Sequence, residues 1–251
     1  MDYAKLLELT TEIGKHLLEN GAEIYRVEES AQRILDAYGV DQVESFAVQT
    51  AIIVTINTPQ TGPMTSLRRI RSRGTNLDLV DQFNTLCRKI CAQRPDPDEI
   101  ERMLEKVKAR RPYSFGVQVL ASGLVSFSFT LLFGGSALDG VCAGVIGLAL
   151  KVICGMVERF RVNSFFVNIL GGAVTASLAL SAAGLGFCHN MDKVVIGVLM
   201  NMVPGVAITN SMRDIMAGDL MAGQTKLTEA LLTAVAMAAG SGMALTLARW
   251  L

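Results

Sequence analysis

Apolar and polar positions change their period along the chain. Leu6, Leu9, Ile13 and Leu17 recur at helical spacing, and Gly21 makes a plausible stop. Ile24, Val27, Ala31, Ile34, Leu35 and Tyr38 carry the same period into a second helix. Alternation then takes over: Phe46, Val48, Ile52, Val54 and Ile56 predict one long strand or two, ended by NTPQTGP. MTSLRRIRS reads as a further strand. Helical spacing returns through Leu79, Val80, Phe83, Leu86 and Ile90, and again through Ile100, Met103, Leu104 and Val107, with PDPDE as the start of the last helix. Residues 1–112 therefore read as a small α+β domain.

Beyond residue 113 the pattern loses its polar face. Five stretches, near 115–135, 137–157, 164–184, 193–209 and 227–250, are long and apolar enough to span a bilayer, which takes about 20 residues per helix. The expected fold class is thus a helical membrane protein, with about five transmembrane helices in residues 113–251 preceded by the α+β domain. The fourth stretch is the shortest, and Pro204-Gly205 breaks it. Charge follows the same boundary. Residues 1–112 hold 16 of the 23 Lys and Arg and 17 of the 23 Asp and Glu, so the neutral net charge of the whole chain describes neither half.

Basic flanks suggest an orientation. Lys106, Lys108, Arg110 and Arg111 precede the first span, Arg159 and Arg161 follow the second, and Arg213 and Lys226 follow the fourth. The other side has only Lys193 and Arg249. By the positive-inside rule the α+β domain and the 210–226 loop are cytoplasmic, and the C-terminus with Trp250 is external. The opening segment MDYAKLLELTTEIGKHLLENG is charged throughout and lacks the apolar core of a signal peptide, so the first domain is expected to stay where it is made.

Catalytic signatures are mostly missing. His16 and His189 are the two histidines, and there is no HExxH, Walker loop or GxSxG, so no catalytic residue, cofactor or resident metal is assigned. Five cysteines form no CxxC pair; Cys87 and Cys91 share a helix face, which suits burial better than redox chemistry. Cys188-His189 offers two metal ligands without a third.

Polar groups in the apolar half carry the sharper signal, because each is costly in hydrocarbon unless it is paired or lines an aqueous path. Lys151, Asn168, Asn201, Asn210, Arg213 and Asp214 are the candidates, together with the backbone freed at Pro204 and Gly205. Lys151 also has the option of snorkelling, and Asn168 and Asn201 of bridging helices. Gly140, Gly144, Gly171 and Gly172 offer faces for close helix contact. In the first domain, Glu23, Arg26, Glu28 and Glu29 crowd the segment GAEIYRVEES, and Arg68, Arg69, Arg71 and Arg73 form a basic strip. Both are either solvated faces or docking and gating surfaces for the membrane half, an anionic solute or membrane lipid, with Arg26, Glu28, Arg68, Arg69 and Arg71 as the candidates. No nucleic-acid partner is expected.

GAEIYRVEES, SRGTNLDLV and VPGVAITNSMRDIMAGDLMAG together resemble the threonine/serine exporter family, and especially its split form. The strongest part of the likeness is Pro204-Gly205, Asn210, Asp214, Gly218 and Gly223. In the split form a protein of about this length works with a small multi-span membrane protein, a pair associated with succinate export. The resemblance implies a secondary exporter of threonine, serine or dicarboxylates in a bacterial inner membrane, working with such a partner or as a homo-oligomer. A membrane-anchored enzyme with a hydrolase-like soluble domain, or a regulatory or scaffold subunit, is the alternative.

Overall fold

The computed structural model describes residues 1–160, 162–248 and 250. Arg161 and Arg249, used above in the orientation argument, lie outside the described residues. Contacts divide the chain into two compact units, Met1–Arg111 with Gly205–Thr228, and Pro112–Pro204 with Glu229–Leu251. The dividing point inside the apolar half falls at Pro204-Gly205.

The first unit begins with α1 (Tyr3–Glu19) and α2 (Ile24–Ala37), followed by a meander of three antiparallel strands, β1 (Gln42–Val48), β2 (Ala51–Thr58) and β3 (Gly62–Arg69). Then come α3 (Leu77–Gln93) and α4 (Pro97–Lys108). Local chemistry sets the ends. Asp2 accepts from the Lys5 amide at 3.0 Å to cap α1, Asn76 accepts from Leu79 at 3.2 Å to cap α3, and Pro97 opens α4 where its missing N–H costs nothing. Helices α1 and α2 cover one face of the sheet, over a core that includes Leu6, Ile13, Val27, Ile34, Ile52, Ile56, Phe83 and Ile90. Gly14 permits this approach, since a Cβ there would run into Ile52 and Val27.

The alternating run through Phe46, Val48, Ile52, Val54 and Ile56 is two strands rather than one, and its members do not share a face. The two-residue connection Gln49-Thr50 pairs Val48 with Ala51 and Phe46 with Ile53, so Ala47 and Ser45 share the buried face of Ile52 and Val54. Phe46 and Leu67, both paired to Ile53, stand on the outer face, more than half exposed.

The second unit holds α5 (Phe115–Leu132), α6 (Ala137–Glu158), α7 (Ser164–Gly184), α8 (Met191–Leu199) and most of α10 (Leu220–Leu247). Among the described residues four helices, α5, α6, α7 and α10, are long and apolar enough to cross a membrane. The expected fourth span at 193–209 is not one helix: α8 stops at Leu199, and α9 (Gly205–Ala217) belongs to the first unit. Proline explains the stop. It has no N–H to continue the ladder, and it disfavours helical geometry in the residue before it, so regular helix ends ahead of Pro204.

Small residues let the second unit's helices touch. Cβ atoms at Gly123 and Gly147 would strike Leu148 and Ser126 between α5 and α6, and those at Gly172 and Gly240 would strike the Met237 and Ile169 carbonyls between α7 and α10. Gly140, Gly144 and Gly171 likewise face Phe127, the Gly123 carbonyl and Met202. These faces are occupied by contacts inside the unit. Leu120, Leu124, Val141, Val145, Leu231 and Val235 point outward and exposed, as lipid-facing positions do.

Candidate functional site

The segment GAEIYR forms the corner between α1 and α2. Gly21 turns it with φ +92°, and a Cβ there would approach the Gly74 carbonyl at 3.0 Å, so glycine is required on both counts. Glu23 occupies the N-cap of α2, yet its side chain makes no capping bond. The first-turn amides of a helix have no partner within it, and a buried one must find an acceptor elsewhere.

Here α9 supplies the acceptor. Asp214 Oδ1 takes the Ile24 amide at 3.1 Å, placing a carboxylate at the positive end of α2. Its Oδ2 accepts from Lys226 Nζ at 3.1 Å, and both side chains are buried. Asn210 Nδ2 donates to the Gly21 carbonyl at 3.0 Å. Arg213 reaches Glu23 at 2.7 Å, and Glu23 also pairs with Arg26 at 2.8 Å. Arg213 and Asp214, adjacent in sequence and about 100° apart on a helix, thus take separate partners. Gly218, at φ +101°, ends α9, and a Cβ on Gly223 would collide with Ile215 and the Ser211 carbonyl.

Glu28 lies one turn further along α2. It accepts the Ala47 amide at 2.6 Å and so ties α2 to β1. Burial pushes its carboxyl above the usual range, against the pull of the Ala47 amide, and the charge of Asp219 adds to the rise. Asp219 is raised too, by burial first and the nearby Asp214 charge second.

The arginine strip does not form one surface. Successive strand residues point to opposite faces, and Arg68 turns inward to Glu12 on α1 at 3.2 Å. Arg69 stands exposed on the outer face, Arg71 is exposed beyond the strand, and Arg73 donates to the Gln49 carbonyl at 3.5 Å.

Within the second unit, Asn201 donates to Ser126 Oγ at 2.6 Å. Ser126 belongs to a buried hydroxyl line on α5, Ser122, Ser126 and Thr130, in which Ser122 donates across to the Gly147 carbonyl at 2.9 Å. Lys151 and Asn168 are half-buried and make no hydrogen bond or ion pair among the described residues. Thr175, two turns beyond Asn168 on α7, is fully buried with its hydroxyl unpartnered. Pro204 is half-buried, and Gly205 has open space around its Cα.

Several of these residues escaped the sequence reading. Asp139, fully buried at the start of α6, accepts from the Ser136, His189 and Asn190 amides, fixing the Cys188-His189 loop. Among the described residues no group of three or more His, Cys, Asp or Glu could hold a metal ion. The hydroxyls at 122, 126 and 130 were legible as a four-residue repeat inside an apolar run; nothing local marks Lys226 as the partner of Asp214.

Four helices among the described residues that are long and apolar enough to cross a membrane, with a polar-rich segment interrupted at Pro204-Gly205, are features of a membrane transport protein. The sequence matches the family model "Putative threonine/serine exporter" over residues 8–248, and the chain belongs to that family. It is 23% identical to the "Probable threonine/serine exporter" of Mycobacterium tuberculosis over 94% of this chain and 45% of that one. It is 21% identical to the "Threonine/serine exporter" of Corynebacterium glutamicum over 97% of this chain and 51% of that one. The chain therefore spans about half the length of these two relatives. With the "Probable succinate transporter subunit YjjP" of Klebsiella aerogenes it shares 26% identity over 92% of this chain and 90% of that one. No solved structure matches.

Proposed function

We propose that the chain is the large subunit of a secondary exporter for small polar metabolites, either threonine and serine or a dicarboxylate such as succinate. The observation that carries this reading is the interruption between α8 and α9, in an apolar stretch where a simple anchor would be continuous. A broken segment at membrane depth is tolerated only against protein or a water-filled cavity. Residues 191–204, part helix and part turn, reach at most about 30 Å, enough for one crossing of a hydrocarbon core. In this reading the fourth crossing is completed by non-helical chain, with Met1–Arg111 on the cytoplasmic side, where the basic flanks favour it.

Both substrate classes carry a carboxylate. Lys151, with no carboxylate partner among the described residues, is the group in the second unit best suited to meet it, with Asn168, Thr175 and Asn201 offering hydrogen bonds. Asn210, Arg213 and Asp214 are engaged at the α1–α2 corner, so their part in transport is to hold the chain after Pro204-Gly205 and release it as solute passes. Arg26, Glu28, Arg68, Arg69 and Arg71 serve this cytoplasmic gating or docking, Arg26 through Glu23 and Glu28 through Ala47. The names of the relatives favour transport over catalysis. As in the split form that the sequence resembles, a small membrane protein completes the transporter.

Export of labelled threonine, serine and succinate from proteoliposomes, with and without that partner, tests the reading. Flux is expected only from the co-reconstituted pair. Gly205→Leu, which has room for its side chain, is expected to insert normally and block flux, and Lys151→Gln to weaken it. Near-normal flux in both variants at equal membrane abundance would place the solute path elsewhere and overturn the proposal.

A further inference from the structure

A second site lies in the first unit, bordering the α9 array at Arg26 and otherwise built from other residues. Helix α2 turns Arg26, Glu29, Ser30 and Arg33 to one side, at the spacing of a single helix face. Helix α3 answers with Asn84, Cys87, Arg88 and Cys91 at the same spacing. Between them is a cleft of about 750 Å³, the size of a metabolite site.

Its walls divide by chemistry. The floor is neutral and weakly polar: Cys87 is buried, and burial pushes its thiol up to about 12, with the negative field of Cys91 adding to the rise. Cys91 is raised as well, again by burial, so both sulfurs favour the neutral thiol and react slowly. Tyr25 contributes an aromatic wall, with the Arg26 guanidinium 5.9 Å from its ring centre. The mouth is cationic, with three arginines against one carboxylate, Glu29.

The arginines are not equally engaged. Arg26 pairs with the buried Glu23. Arg33 pairs with Glu29 at 2.5 Å, but both side chains are more than half exposed, and such a pair exchanges readily for another anion. Arg88 has no carboxylate partner among the described residues; its guanidinium donates to Thr85 Oγ1 on its own helix at 2.9 Å. An exposed guanidinium fork facing a second arginine across a cleft is suited to carboxylate and phosphate oxygens. Ser30 and Asn84 line the same cleft as neutral hydrogen-bonding groups.

We propose that the α2–α3 cleft binds a small organic anion, one or two carboxylate or phosphate groups on an apolar or aromatic body, with Arg33 and Arg88 holding the charge and Tyr25 the body. The site is separate from the proposed solute path and does not depend on the transport reading. It gives the first unit a means of sensing a water-soluble metabolite.

The test uses the full chain in nanodiscs of zwitterionic lipid, titrated calorimetrically with ATP, citrate and inorganic phosphate. Mass spectrometry of the Cys91 peptide follows modification by a thiol reagent in parallel. At least one organic anion is expected to bind saturably, more tightly than inorganic phosphate, and to shield the half-exposed Cys91. Arg88→Gln is expected to weaken binding about tenfold or more, and Arg88→Lys to recover only part of it because the fork is lost. Lys89→Gln removes the same charge one residue away and is expected to change little. The proposal is overturned if none of the three saturates, if Lys89→Gln costs as much as Arg88→Gln, or if phosphate matches the organic anions. Binding that appears only when the nanodiscs contain anionic lipid would make the cleft a lipid contact and overturn it too.

Discussion

Helices α2 and α9 meet in the first unit and are built in opposite ways. α2 buries Ile24, Val27, Ala31, Ile34 and Leu35 and turns Arg26, Glu29, Gln32 and Arg33 to water. α9 buries Asn210, Ser211 and Asp214 and leaves Val206, Ile208, Met212 and Met216 exposed, Met216 at 83%. The first arrangement is that of a water-soluble domain, held by apolar area removed from water. The second is held by directed bonds from a few polar atoms, and its exposed apolar face suits a lipid or protein surface better than water. The difference predicts where each helix breaks. α2 should tolerate any single change on its polar face, whereas α9 should depend on individual partners.

The largest effect is expected at Asp214. Asp214→Ala leaves Lys226 buried without its counter-charge and the Ile24 amide without its acceptor, a loss of about 3–5 kcal/mol. Glu29→Ala, on the solvated face of α2, should cost no more than about 1 kcal/mol. Unfolding midpoints of the full chain in detergent give the comparison. Asp214→Asn combined with Lys226→Met should regain much of the lost stability, because both buried charges leave together. Equal midpoints for Asp214→Ala and Glu29→Ala would show that α9 is held by something other than these bonds.

Apolar burial can be weighed on the same scale. Ile34→Ala, in a fully buried position of α2, is expected to cost about 2–5 kcal/mol, and Met216→Ala on α9 well under 1 kcal/mol in detergent. A large loss at Met216 would mean that the exposed face of α9 is covered after all. Arg213→Gln should fall between, at about 1 kcal/mol, since its side chain is half exposed and Glu23 keeps Arg26.

The same contrast explains how far the sequence could be read. Periodic apolar residues announce their own burial, so α1 to α4 were legible from Leu6, Ile34, Phe83 and Leu104. Spans α5, α6 and α7 were legible because composition and length suffice. Which way Phe46 faces was not legible, because parity depends on the Gln49-Thr50 turn, which alternation alone does not fix. The break in the fourth stretch was legible at Pro204-Gly205, but its helix ends were not, because a hydropathy window cannot say which side of Pro204 keeps its helix. The α9 contacts are further out of reach. Asp214 finds its acceptor role at Ile24, 190 residues away, and a polar residue in an apolar run signals that it has a partner without saying which.

The smallest expected effect concerns Glu28, and its sign is fixed by the direction of its shift. Burial raises its carboxyl in the folded chain, with the Asp219 charge adding to it, whereas the unfolded chain keeps an ordinary carboxylate value. As pH climbs from that ordinary range through the raised folded value, the unfolded chain has already released the proton and the folded chain still holds it. Stability therefore falls through this window. Glu28→Gln removes the titration while its side-chain carbonyl can still accept the Ala47 amide. The variant's midpoint minus that of the parent should rise with pH across the window and level off on either side, since other groups contribute equally to both curves. Asp219→Asn should narrow the window by lowering the Glu28 value toward normal. A difference that stays flat, or falls with pH, would mean that Glu28 is as well solvated as the outward charges of α2, and that the comparison of the two helices ends at Asp214.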